Sequence, residues 1–249
     1  MAKRWLSTPS RIDLLDTTSR YLVTQFSIVN VFASTTSFGN IEELSKIDLE
    51  EKGSTIFGDY MQTIHAITVK ERERAAPRHL GVALGTADLA SFAKRLENAR
   101  KISKDLNGQL SLCTEQQERD FNRVVDIYHH SGLIYAYQAL AEPVDATECI
   151  PQLLASLISD LILISTSGPF AQDLAWPLFI CGTACRHLKD EQHLIERLMR
   201  EEMESTGFWN CLEALNFLRM FWSTEDVKGQ TWIDFARQYC KHGREFLAL

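Results

Sequence analysis

The chain has 249 residues, 45% of them hydrophobic and 24% charged, and its 26 Lys+Arg against 33 Asp+Glu leave a formal net charge of −7. That balance belongs to a globular protein and excludes a collagen, a disordered chain and a disulfide-stapled miniprotein. Affinity for phosphate rests on Lys and Arg displacing counterions, so a net acidic chain is not expected to bind DNA directly.

No stretch meets the roughly 18–20 apolar residues of a bilayer span; the most apolar, Leu153 to Ile164, is too short and carries Asp160. The N-terminus starts basic but lacks an apolar signal core, so the expectation is an intracellular, cytoplasmic protein with no membrane contact. Cys113, Cys149, Cys181, Cys185, Cys211 and Cys240 form no C-x-x-C pair. They read as free thiols in a reducing compartment, with no structural metal and no cofactor.

In chain order, helices are expected near 11–33, 55–75 and 87–106, the last capped by Thr86 with Leu89, Phe92, Leu96 and Ile102 inward. Thr114 and Gln117 have the spacing of a capping box, which starts a long helix at Glu115 and carries it to about Ala141. Pro143 stops it, and Pro151 fits the first turn of an apolar helix whose stripe is Leu153, Leu154, Leu157, Ile158, Leu161 and Ile162. An amphipathic helix over 190–206 buries Leu194, Ile195, Leu198 and Met203, and its acidic run Glu201-Glu202-Met203-Glu204 reads as solvated. Gly207 ends it, and Phe208, Cys211, Leu212, Leu215, Leu218 and Trp222 form the next stripe. The expected architecture is an all-α, single-domain bundle of roughly ten helices over 1–249.

The segment Ala175-Trp176-Pro177-Leu178-Phe179-Ile180-Cys181-Gly182-Thr183-Ala184-Cys185-Arg186 resembles the fungal-specific transcription factor domain, the helical regulatory part of fungal zinc-cluster transcription factors. The order around it is similar too: Ile134-Tyr135-Ala136-Tyr137 before it, a charged helix and an Asn210–Trp222 helix after it, then Trp232 and Phe246-Leu247. The likeness is strongest over 115–249 and faint over 1–114. In such factors six cysteines hold two zinc ions in an N-terminal DNA-reading module, whereas the first hundred residues here contain no cysteine. The chain is then a fragment of a longer regulator or a stand-alone scaffold, and Met1 favours the second. The resemblance implies a nuclear domain that answers to small molecules or partner proteins.

The residues themselves offer two chemistries. Asp126 and His130 are four apart on one helix, where a carboxylate can orient an imidazole as a general base or form an ordinary surface pair. His129, turned about 100° away, should not share a pocket with His130. Asp160 is the lone charge in its apolar helix, either functional or at an exposed edge. Cys181 and Cys185 share a face, but His187 and His193 do not complete a metal site. Trp176, Phe179, Phe208, Trp209, Phe217, Phe221, Trp222 and Trp232 supply either a dense core or the walls of an apolar cavity. As walls, Trp176, Phe179, Phe217, Phe221 and Trp222 would bind an apolar small molecule, with His130, Asp160 and Arg186 as polar groups.

Two functions fit these observations. One is a ligand- or protein-responsive regulator, acting through contacts with protein partners or within a homodimer. The other is a cofactor-free cyclase or isomerase of secondary metabolism, positioning an apolar substrate beside Asp126, His130 or Asp160.

Overall fold

The computed structural model describes residues 17–38, 57–75, 89–106, 114–164, 168–209, 211–224, 230–241 and Phe246. Among these residues are nine α-helices and no strand, so the all-α expectation holds. They are α1 (Thr17–Thr36), α2 (Gly58–Ala75), α3 (Leu89–Leu106), α4 (Glu115–Leu140), α5 (Pro143–Leu163), α6 (Ala175–Ala184), α7 (Lys189–Thr206), α8 (Cys211–Ser223) and α9 (Trp232–Lys241), with a 3-10 turn at Ala171–Asp173. Thr86, Cys113, Asn210 and Leu247 lie outside the described residues.

Helix α4 starts where the sequence places it. The Thr114 hydroxyl accepts a hydrogen bond from the Gln117 amide at 3.2 Å, satisfying one of the amides that a helix start leaves open. The helix is the centre of the bundle: Phe121, Val124, Val125, Tyr128, Ile134 and Tyr135 are buried as α2, α3, α5 and α6 pack around it. At Gly132, a Cβ would stand 2.9 Å from a Leu96 methyl. The missing side chain lets α3 lie close along α4. The other punctuation that holds is Gly207, whose φ of 77° ends α7 and lets its amide bond to Met203.

Four local expectations are corrected. Helix α5 begins at Pro143, with Pro151 inside it rather than in the first turn. Both Pro151 and Thr147, whose carbonyl it leaves without an amide donor, are exposed, so water can satisfy the interruption. The result is a 21-residue helix, long and apolar enough by length and composition to cross a membrane, and only 17% of its most apolar window is buried. Ile102 is 47% exposed because α3 turns Leu96, Ala99 and Ser103 inward at spacings of three and four. A proline can open a helix, which would make Pro177 the start and leave Trp176 as an apolar plug just before it; instead Trp176 is the second residue of α6 and Pro177 the third, still within the turn where an amide lacks a helical acceptor. Glu202 is 1% exposed, not solvated, since α7 turns it inward with Leu198, Met199 and Met203.

Helix α6 is buried along its length from Ala175 to Thr183, as a helix apolar on all sides should be. It runs through the interior, between α4 on one side and α7 and α8 on the other.

Candidate functional site

The residues singled out for chemistry fall on one seam, but in different pairs. Asp126 does not orient His130. Helix α3 runs beside α4 and offers two cations a turn apart, so Asp126 accepts from Arg100 Nε at 2.6 Å and lies 2.7 Å from Lys104 Nζ. His130 instead faces α5, where its Nδ1 is 3.4 Å from an Asp160 oxygen. That Nδ1 is buried and forms no hydrogen bond. Asp160 therefore sits neither at a free edge nor on a loop backbone, but opposite an imidazole.

The two neighbouring histidines point to different helices, as their angular offset requires. His129 turns to α3, with Nε2 3.6 Å from Glu97, while its ring meets that of His130 edge-on at 5.5 Å. Burial, then the Arg100 charge and the His130 ring, push its pKa down to about 4, against weaker support from Glu97. His129 is a neutral imidazole at physiological pH.

The aromatic residues expected at a ligand are packed on one another. Trp176 stacks on Phe32 at 5.1 Å, meets Tyr135 edge-on at 5.9 Å, and donates its indole N–H to Thr35 Oγ1 at 3.2 Å. Phe179 meets Trp232 edge-on at 5.2 Å. Phe217 stacks on Phe246 at 4.0 Å, and Phe221 lies parallel to Phe217 at 6.4 Å. Trp222 donates to the Gly182 carbonyl at 2.9 Å, and the Arg186 guanidinium stands 4.5 Å over the Phe221 ring. Phe208 and Trp209 do not join this cluster: they are 45% and 60% exposed at the α7–α8 turn.

A polar seam that the sequence did not disclose crosses the bundle. Arg72 is 5% exposed and donates to Glu71, and its Nη2 reaches the carbonyls of Ser34, Thr35 and Ser37 at 3.2–3.3 Å. These are the carbonyls that the end of α1 leaves without helical donors, at the negative pole of that helix. Arg237 of α9 donates to the same Glu71. Glu71 thus joins α1 through α2 to α9, across a sequence in which Glu71-Arg72-Glu73-Arg74 looks like an ordinary exposed run.

Beside this seam opens a cleft of about 280 Å³ lined by Arg74, Gln138, Asp234, Arg237 and their neighbours, and by none of the five aromatic residues expected at a ligand. Gln138 Oε1 accepts from both Trp232 Nε1 at 2.8 Å and Thr183 Oγ1 at 3.0 Å, so the cleft floor is tied to α6 and α9. Elsewhere, Cys181, Cys185 and Cys211 are buried and in no disulfide. No group of three metal-ligating side chains occurs among the described residues. Glu202 keeps one buried carboxylate oxygen without a partner, and burial lifts its pKa to about 7.

The described residues form an all-helical bundle with a buried aromatic cluster and an internal ion-pair clasp. The chain belongs to the fungal specific transcription factor domain family, whose model matches residues 3–247. The match takes in the N-terminal third as well as the Trp176 segment. No curated protein and no solved structure matches the chain. The family suggests a regulatory role and is consistent with a nuclear protein.

Proposed function

We propose that this domain regulates transcription from the nucleus through contact with another protein, without gripping DNA itself. One observation carries the reading: the aromatic side chains expected at a ligand pack on one another, whereas other apolar side chains stand in solvent. Val144, Ile162 and Leu163 on α5 are 69%, 56% and 56% exposed, and Phe208 and Trp209 stand out beside them in this respect. Exposed apolar side chains such as these offer surface that a protein partner can cover. The net charge of −7 favours a partner other than nucleic acid.

Fusing the chain to an unrelated DNA-binding module and measuring a reporter tests this reading. Reporter output should shift relative to the module alone, and variants of the exposed apolar residues should abolish the shift while leaving the melting temperature unchanged. An unchanged reporter would remove the regulatory reading.

The His130–Asp160 approach supports a second reading, a cofactor-free isomerase or cyclase in which Asp160 orients His130 as a base. It requires that an apolar substrate reach His130 Nε2, the ring nitrogen turned away from Asp160, and Asp160→Asn would then abolish turnover with the fold intact.

A further inference from the structure

The turn between α7 and α8 carries its aromatic residues in an unusual setting. Phe208, Trp209 and Leu212 are 45%, 60% and 39% exposed. They are nonetheless fixed by a chain of short-range hydrogen bonds. The Phe208 amide donates to Thr206 Oγ1 at 3.2 Å, the Gly207 amide to the Met203 carbonyl at 2.9 Å, and the Leu212 amide to the Trp209 carbonyl at 3.1 Å. A large apolar group held out in water in one backbone geometry has already met much of the ordering cost of binding. Trp is also the residue type most enriched among those that dominate interface energies.

Along the chain, the charge that flanks this tip has one sign. Between Arg200 and Arg219 the sequence contains no Lys, Arg or His, while Glu204 and Glu213 are exposed to either side of the Phe208–Trp209 pair. The complement to such a tip is an apolar pocket with a cationic rim. An anionic lipid surface or an acidic peptide would be repelled.

Resting on the protein-contact reading above, we propose that the Phe208–Trp209 tip is the plug by which this domain docks into an apolar, Lys- or Arg-rimmed groove on a partner protein. Helix α5, whose exposed face has no cation at all and whose acids Asp145 and Glu148 lie toward one end, is a separate surface in this proposal.

The test uses a synthetic helical peptide with leucines on one face and lysines along its edges, followed by fluorescence anisotropy with the full chain. The lysine peptide should bind, weaken as salt rises, and lose at least about tenfold in affinity with F208S/W209S, or about 1.4 kcal/mol. The I162S/L163S chain should bind as the wild type does, and a glutamate-edged peptide should not bind. Equal binding by F208S/W209S would overturn the proposal, since scattered surface acids would then be holding the peptide. Self-association or capture by phosphatidylcholine vesicles that is lost with F208S/W209S would also overturn it, by assigning the tip another occupant. The tethered reporter separates the two levels: a wild-type shift that survives F208S/W209S leaves the regulatory reading standing and removes the tip.

Discussion

The interior around Trp176 and the outer face of α5 are built from similar residues and end in opposite environments. Trp176, Phe179 and Phe217 are each no more than 1% exposed, whereas Val144, Ile162 and Leu163 are each more than half exposed. Apolar content therefore does not decide burial here; the number of helices packed around an element does. Helix α6 is enclosed by neighbours on several sides, while α5 rests mainly on α4 through Leu154, Leu157 and Leu161. The hydrophobic effect rewards removal from water whatever removes it, and α5 retains apolar surface that a partner could cover.

The sharpest break in this comparison comes from truncating its buried side. Trp176→Ala removes the stacking on Phe32 and the indole bond to Thr35, and should cost about 3–5 kcal/mol in urea unfolding. Next comes the clasp that holds α1 against α2 and α9. Arg72→Met leaves Glu71 buried with one cation fewer and strands three carbonyls, and should destabilise by about 3 kcal/mol. Replacing Glu71 as well should recover part of that loss, because the stranded carboxylate is then gone.

Glu202 gives a smaller effect with a definite sign. Its folded pKa, about 7, is above its ordinary 4.5, so its stabilising contribution is complete below pH 4.5 and is lost as pH rises through 7. Glu202→Gln should raise stability at pH 8 by on the order of 1–2 kcal/mol. His129 acts oppositely. Its folded pKa of about 4 lies below the ordinary 6.5, so its contribution is present above pH 6.5 and lost as pH falls through 4. Urea midpoints measured between these limits should therefore rise more steeply with pH in Glu202→Gln than in the wild type.

The smallest expected effect sharpens the comparison most. Substituting Ile162 and Leu163 by Ser on the exposed face of α5 should each change stability by only about ±0.5 kcal/mol. A large loss in either would show that this face is covered within the chain.

What was legible in the sequence was local. The start of α4 rests on a hydroxyl and an amide three residues apart, and the end of α7 on one glycine able to adopt positive φ, so neither needs the rest of the molecule. The same locality misled at Asp126, where an i,i+4 spacing suggested His130 as partner while Arg100 and Lys104 waited on another helix. His130 and Asp160 were both visible as candidates, but their pairing depends on how α4 packs on α5. The Arg72 clasp was hidden because a buried cation and an exposed one look alike until the carbonyls of α1 are in place. Glu202 gave one usable signal: it falls four residues after Leu198, on the inward stripe of its own helix.

Purifying the protein from its native host, denaturing it and extracting with organic solvent for mass spectrometry tests most directly whether the aromatic interior is solid. The packing of Trp176, Phe179, Phe217, Phe221 and Trp222 predicts no stoichiometric apolar molecule. Recovery of one apolar metabolite per chain would contradict a filled interior and turn these residues into the walls of a binding cavity.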